Sequence, residues 1–400
     1  MNINNMKVFV VGNPPPHHGG RYFIFLKLYT DNGIEGVGEV YSATFQPHVI
    51  EKMIEDVYER HVEGMDPFRI EFLWRSVYGR GYTMRPDASL VAVLSGLEIA
   101  LWDICGKALE KPVYELLGGK IHEKLRTYTY LYPKNGSAYA DESPSVYDDP
   151  DLAAKAASEC LGHGFTAIKF DPAGPYSVFD PRQPSMEAMD RSELFCRRIR
   201  ESVGSKVDLL IGTHGQFTHS GAIRFARRLE TYDPLWFEEP TPPERPEEMA
   251  KVATQTKIPI ATGERLTTKY EFARVLEMGA ASILQPALGR VGGILETKKI
   301  AGMAESYYAQ IAPHLYCGPI EGAANIQIST CIPNFLILES IGNWQGFHAK
   351  ILKKPLEWDS GFVIPPTESG LGVELNDEVA LANTYDEKDL HLEMVEKPIY

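Results

Sequence analysis

Apolar and polar positions along this chain follow two successive rhythms. Up to about residue 125 strands come first and helices after. Tyr22–Tyr29 alternates, breaks at Asp31-Asn32-Gly33 and resumes over Ile34–Val40, which predicts a hairpin. Pro14, Pro15, Pro16, His17, His18, Gly19 and Gly20 form a loop between a first strand and this hairpin. A helical pattern spans Gln46–Arg60. A stronger one starts after Asp87, a plausible N-cap, and runs to about Leu109, with Leu94, Leu97, Leu101, Ile104 and Ala108 on one face.

After Leu125 short apolar runs alternate with helical stretches. The strand candidates are Arg126–Leu131, Thr166–Phe170, Val207–Ile211, Leu235–Glu238, Ile258–Ala261, Ala281–Gln285, Gln310–Ala312 and Phe335–Leu338. All but the last lead into a helical stretch, such as Gly221–Thr231 or Thr268–Met278. The last leads into irregular chain containing Gly and Trp. Repeated strand–helix units of this number favour a (β/α) barrel of TIM type over an open sheet. The predicted fold is α/β: an α+β capping domain over 1–125, a modified barrel over 126–357, and a segment 358–400 that returns to the cap. Asn135–Pro150 and Tyr176–Pro184 read as long loops on the catalytic face of the barrel.

Composition narrows the function. With 54 acidic against 40 basic residues the formal charge is -14, and no long basic run stands out. Nucleic acid and anionic membrane surfaces are therefore poor partners. Cys105, Cys160, Cys196, Cys317 and Cys331 are odd in number and lack CxxC spacing, which predicts reduced thiols and a cytoplasmic location. The expected absence of a signal peptide and of an apolar run of bilayer length agrees with that.

The chemistry concentrates where the predicted strands stop. In order these ends supply Lys169 and Asp171, His214, Glu238, Glu264, Gln285, His314 and Glu339. Strand C-termini of a parallel barrel share one mouth. Glu238 and Glu264 brought together there would repel unless a cation lay between them, which points to a divalent metal and so to an enzyme.

Several motifs strengthen this. The capping region carries Ser95-Gly96-Leu97-Glu98-Ile99-Ala100-Leu101-Trp102-Asp103-Ile104-Cys105-Gly106-Lys107 and Pro112-Val113-Tyr114-Glu115-Leu116-Leu117-Gly118-Gly119. The barrel region carries Glu238-Glu239-Pro240, Gly263-Glu264, Gln285-Pro286, Val291-Gly292-Gly293 and Pro313-His314. In this order the chain resembles the enolase superfamily, in its mandelate racemase-like branch, and within it the acid-sugar dehydratases of galactonate and mannonate type. The resemblance implies abstraction of the proton α to a carboxylate, with Mg²⁺ stabilising the enediolate. It also implies a small-molecule acid sugar as partner and a homo-oligomer, dimer to octamer.

Residue by residue, Glu238 and Glu264 match the second and third metal ligands. His314 matches the base, and His214 the acid that protonates the departing hydroxyl. Glu339 matches a contact to the substrate carboxylate, and Lys169 would help polarise that group. The loop Pro14–Arg21 falls where the family places a cap over the mouth. His17, His18, Arg21 and Tyr22 are therefore substrate-binding candidates, with Asp171 a further one and Met84 and Arg85 weaker ones.

Two departures stand out. The first metal ligand, an aspartate two residues before the histidine, is here Gly212, and the aspartate that orients the base is here Ala287. Three repairs are open: His214 as a ligand, Asp171 supplying the charge from the neighbouring strand, or water. His214 or water is the expectation. A racemase or isomerase using the same enediolate, or a catalytically weakened relative that binds an acid sugar, are the alternative readings.

Overall fold

The structure, a computed structural model, describes residues 1–82, 85–133 and 144–394. Met84 and most of the expected Asn135–Pro150 loop lie outside the described residues. The chain opens with an antiparallel sheet of β1 (Ile3–Gly12), β2 (Tyr22–Thr30) and β3 (Glu35–Val40) in sequence order. Helices α1 (Pro47–His61), α2 (Ile70–Arg80) and α3 (Ala88–Ala108) follow. Asp87 caps α3 by accepting from the Ser89 and Leu90 N–H groups. The sequence reading did not find α2.

Glycine spacing decides how α3 packs. A β-carbon on Gly36 or Gly38 would overlap Ala100 O or Gly96 O, so bare backbone on β3 lets the helix lie directly against the strand. By length and composition α3 could cross a membrane, against the expectation that no run does; it is instead mostly buried as the core helix of the cap.

The eight barrel strands are β4 (Leu125–Tyr130), β5 (Ala167–Phe170), β6 (Asp208–Gly212), β7 (Trp236–Glu238), β8 (Ile260–Thr262), β9 (Ile283–Leu284), β10 (Gln310–Ile311) and β11 (Leu338–Ser340). Neighbours from β4 to β10 pair in parallel, and β11 pairs in parallel with β4. The last strand differs from the predicted Phe335–Leu338. Its early part touches β10 through the Ile311–Phe335 bridge, and only from Leu338 onward does it join β4. The apolar run was visible in the sequence, but the polar residues Glu339 and Ser340 that continue the ladder disguised its end. Tyr128, Ala167, Leu210, Trp236, Ala261, Ile283, Ala312 and Ile337, one from each strand or its margin, pack together as the inner layer.

Helices α4 (Val113–Leu116), α5 (Pro150–Gly162), α6 (Met186–Val203), α7 (His219–Leu229), α8 (Pro246–Ala253), α9 (Thr268–Glu277), α10 (Leu288–Val291), α11 (Gly293–Ser306), α12 (Pro319–Thr330) and α13 (Phe347–Lys350) complete the linker and the outer layer. The cap docks through the motif helix α3. Glu98 accepts from the Ile294 and Leu295 N–H groups at the start of α11 and from Trp102 Nε1, and Ser95 Oγ accepts from Gly292 N–H.

Beyond the barrel, β12 (Trp358–Asp359) and β13 (Phe362–Val363) form a hairpin that pairs antiparallel with the start of β4. Helix α14 (Asp377–Ala382) then reaches the cap, where Asp377 pairs with Lys27 at 2.7 Å and Tyr385 N–H donates to Val10 O.

Candidate active site at the mouth of the barrel

Each barrel strand ends at the same face, so residues far apart in sequence converge there. A cavity of about 400 Å³ lies between this face and the cap. Lys169, His214, Glu264, His314 and Glu339 line its floor, and Glu238 lies just beneath. The strand-end chemistry read from the sequence is thus brought together in one buried place.

Lys169 is the hub. Its Nζ contacts Glu238 Oε1 and stands 3.8 Å from Glu264 Oε2 and 4.0 Å from Glu339 Oε1. The other Glu238 oxygen accepts from Trp236 Nε1 at 3.0 Å and Gln285 Nε2 at 2.7 Å. Glu339 Oε2 accepts from the Leu315 N–H at 2.8 Å. Burial opposes a charge on Lys169, but Glu238, Glu339 and Glu264 outweigh it and hold its pKa above the ordinary value.

Two histidines approach Glu264 from different strands. His214 Nε2 is 3.8 Å from Glu264 Oε1, and its Nδ1 is 3.2 Å from Asp171 Oδ2. His314 Nε2 is 3.5 Å from Glu264 Oε2 and 4.0 Å from Glu339 Oε2. Tyr176 stacks on His214 and Tyr41 on His314, with ring centroids 4.7 and 5.8 Å apart. Burial lowers the His214 pKa, but Asp171 and Glu264 outweigh it and raise the value to about 9. For His314 burial wins over Glu264 and Glu339, and the imidazole is held below its ordinary value. Burial would raise Glu264, yet the neighbouring histidines, Lys169 and Arg265 hold it well below the usual carboxylate range. One imidazole is therefore poised charged and the other neutral.

The two departures have distinct consequences. A β-carbon on Gly212 would overlap Asp171 Oδ1 and lie 3.2 Å from Lys169 Cε, so groups from the neighbouring strand fill the space of the lost aspartate. With alanine at position 287, His314 Nδ1 makes no hydrogen bond among the described residues, so nothing on that side of the ring fixes its tautomer.

Hard divalent ions want several charged oxygens free to turn toward them. Here Glu238 is occupied by three protein donors. Among the described residues no three His, Cys, Asp or Glu side chains converge as a metal-holding group. The donor set does not fit the Mg²⁺ that the resemblance implies. His214, a ligand candidate from the sequence, turns its Nδ1 toward Asp171 and its Nε2 toward Glu264, as an ion-paired imidazolium would.

His17, His18 and Arg21 do not line this cavity. His18 stacks on Tyr132 and faces Pro133 O, while Arg21 pairs with Glu393 at 3.3 Å. Asn13 Nδ2 donates to the carbonyls of His18 and Gly20 and pins the loop aside. A β-carbon on Gly20 would overlap the His391 ring, so the loop packs against the C-terminal segment, whose Leu392 and Met394 line the cavity.

Residues that the sequence reading missed form the roof and walls: Tyr41, Tyr176, Arg265, Arg290, Tyr316 and Leu392. Arg290 lies over the Tyr41 ring at 4.0 Å and donates to Glu264 O at 3.1 Å. Arg265 pairs with Glu239 at 2.6 Å, and the doublet Glu238-Glu239 beside Glu264-Arg265 was the signal that could have suggested it.

Comparison with known proteins agrees with this architecture. Residues 16–118 match the mandelate racemase/muconate lactonizing enzyme N-terminal domain, and 151–379 match the enolase C-terminal domain-like family. A D-galactonate dehydratase of Ralstonia nicotianae is 35% identical over 373 residues, 92% of each chain. A solved structure of mandelate racemase/muconate lactonizing enzyme type from Labrenzia alexandrii is 62% identical with a TM-score of 0.96, covering 99% of this chain and 100% of that one. A structure from Mesorhizobium loti described as a dehydratase is 31% identical with a TM-score of 0.85, covering 96% and 99%. The chain belongs to the enolase superfamily, in its mandelate racemase branch, and is an enzyme of the lyase class.

Proposed function

We propose that this enzyme dehydrates a sugar acid, removing the proton α to the carboxylate and the β-hydroxyl to give a 2-keto-3-deoxy acid. The observation that carries this reading is the pair of imidazoles, His314 buried and His214 partly so, that reach the two oxygens of Glu264 from different strand ends. A neutral base and a protonated acid in one cavity are what a β-elimination needs. The relatives described as dehydratases support the same reading.

His314 takes the α-proton on Nε2. The electron pair passes into the enediolate and then expels the β-hydroxyl, which leaves as water with a proton from His214. Tautomerisation of the resulting enol gives the keto acid. Glu339 and Lys169 face the substrate carboxylate, and burial of both makes the site dry enough for their placement to matter. Tyrosine rings at the mouth present flat faces to the C–H side of a sugar, while Arg265 and Arg290 add charged donors.

Screening acid sugars for 2-keto acid formation tests the reading, followed by turnover in deuterated water. His314→Asn should lose about 10²–10⁴-fold in turnover and all α-proton exchange. His214→Asn should lose turnover yet still exchange the α-proton. No keto acid and no exchange from any acid sugar would refute the proposal.

A further inference from the structure

We propose that Lys169 serves as a built-in cation, a fixed ammonium in the place that the family resemblance gives to a divalent ion. This rests on the dehydratase reading for its chemistry but not for its geometry. Three carboxylates surround one ammonium: Glu238 in direct contact, Glu264 at 3.8 Å and Glu339 at 4.0 Å. The Lys169 side chain is 2% exposed, so water does not screen this cluster.

The vacancy at Gly212 is what makes the arrangement possible. A side chain there would compete for volume with Asp171 Oδ1 and with Lys169 Cε. The donors on Glu238 point the same way. Trp236 and Gln285 hold one oxygen and Lys169 the other, so the carboxylate is saturated by its own protein. A dication placed between Glu238 and Glu264 would lie against a buried ammonium and be repelled by it.

In the reaction the α-proton goes to His314 and its electron pair to the substrate carboxylate oxygens. The Lys169 ammonium keeps its protons and donates hydrogen bonds to that growing charge. No bond to nitrogen forms or breaks, and no co-reactant is needed. A preorganised cation in a dry site stabilises such charge without reorganising.

The test is metal binding on the intact protein. After chelator treatment, wild-type protein is titrated with Mn²⁺, followed by electron paramagnetic resonance. The expected result is no saturable Mn²⁺ and turnover that chelator changes by less than about twofold, where loss of a needed cation would cost orders of magnitude. Lys169→Met should lower turnover by about 10²–10³-fold and, with the three carboxylates no longer facing an ammonium, take up Mn²⁺. Stoichiometric Mn²⁺ on wild-type protein, or turnover abolished by chelator and restored by Mg²⁺, would overturn the proposal. The wild-type titration needs no variant and no substrate. If no acid sugar reacts, the dehydratase reading fails while the titration still decides the cation.

Discussion

Asp171 stands where a side chain on Gly212 would begin, so a β-carbon there would overlap its Oδ1. One strand end has surrendered its side chain and the next has leaned into the gap. Gly212→Asp should accordingly destabilise the protein by about 1–3 kcal/mol through overpacking, increased by repulsion between carboxylates. Adding Asp171→Gly should recover most of that loss. Denaturant midpoints of the two single variants and the double variant measure this coupling.

The two histidines should give turnover a bell-shaped pH profile. The base must be neutral, and burial holds the His314 pKa below 6.5, so the acid limb falls below that value. The acid must be protonated, and the His214 value of about 9 sets the alkaline limb there. In His214→Asn, α-proton exchange should lose the alkaline limb and keep the acid one. An alkaline limb unchanged in that variant would refute the assignment.

His391 should make the protein acid-labile. It is buried with edge-on contacts to Tyr22, Tyr41 and Tyr316, and burial pushes its pKa down to about 3 from 6.5. The unfolded chain thus binds this proton more readily than the folded one. The associated stability is full above pH 6.5 and drains as pH falls toward 3, at about 1.4 kcal/mol per unit at most. Thermal melting across this range should fall less steeply for His391→Phe than for wild type.

Glu98→Ala should loosen the cap. It strands the Ile294 and Leu295 N–H groups and Trp102 Nε1. Each buried donor left unpaired costs about 1–3 kcal/mol. Glu98→Gln keeps an acceptor and should cost less. Denaturant unfolding of the two variants checks the order.

Much of this was legible before any coordinates. Strand ends such as Phe237-Glu238 and Gly263-Glu264 mark themselves because an apolar run needed by the barrel layer stops at a charged residue. What each charge touches is set by tertiary placement and was not legible. Nothing near Lys169 in sequence announces Glu238, and nothing near His18 announces Tyr132. Tyr41 follows directly on the predicted hairpin, and nothing in the sequence announces that it stacks on His314. The loss at Gly212 was plain and Asp171 was one of three candidate repairs, but spacing alone did not give the shape of the hole that Asp171 fills.

Tyr41 near one end of the chain and Leu392 near the other both wall the chamber whose floor is the barrel. Selectivity is thus written in two passages that meet only after folding. Grafting one relative's cap onto this barrel should transfer substrate preference only when both passages travel together, because a roof assembled from mismatched halves would leave Gly20 and His391 without their mutual fit.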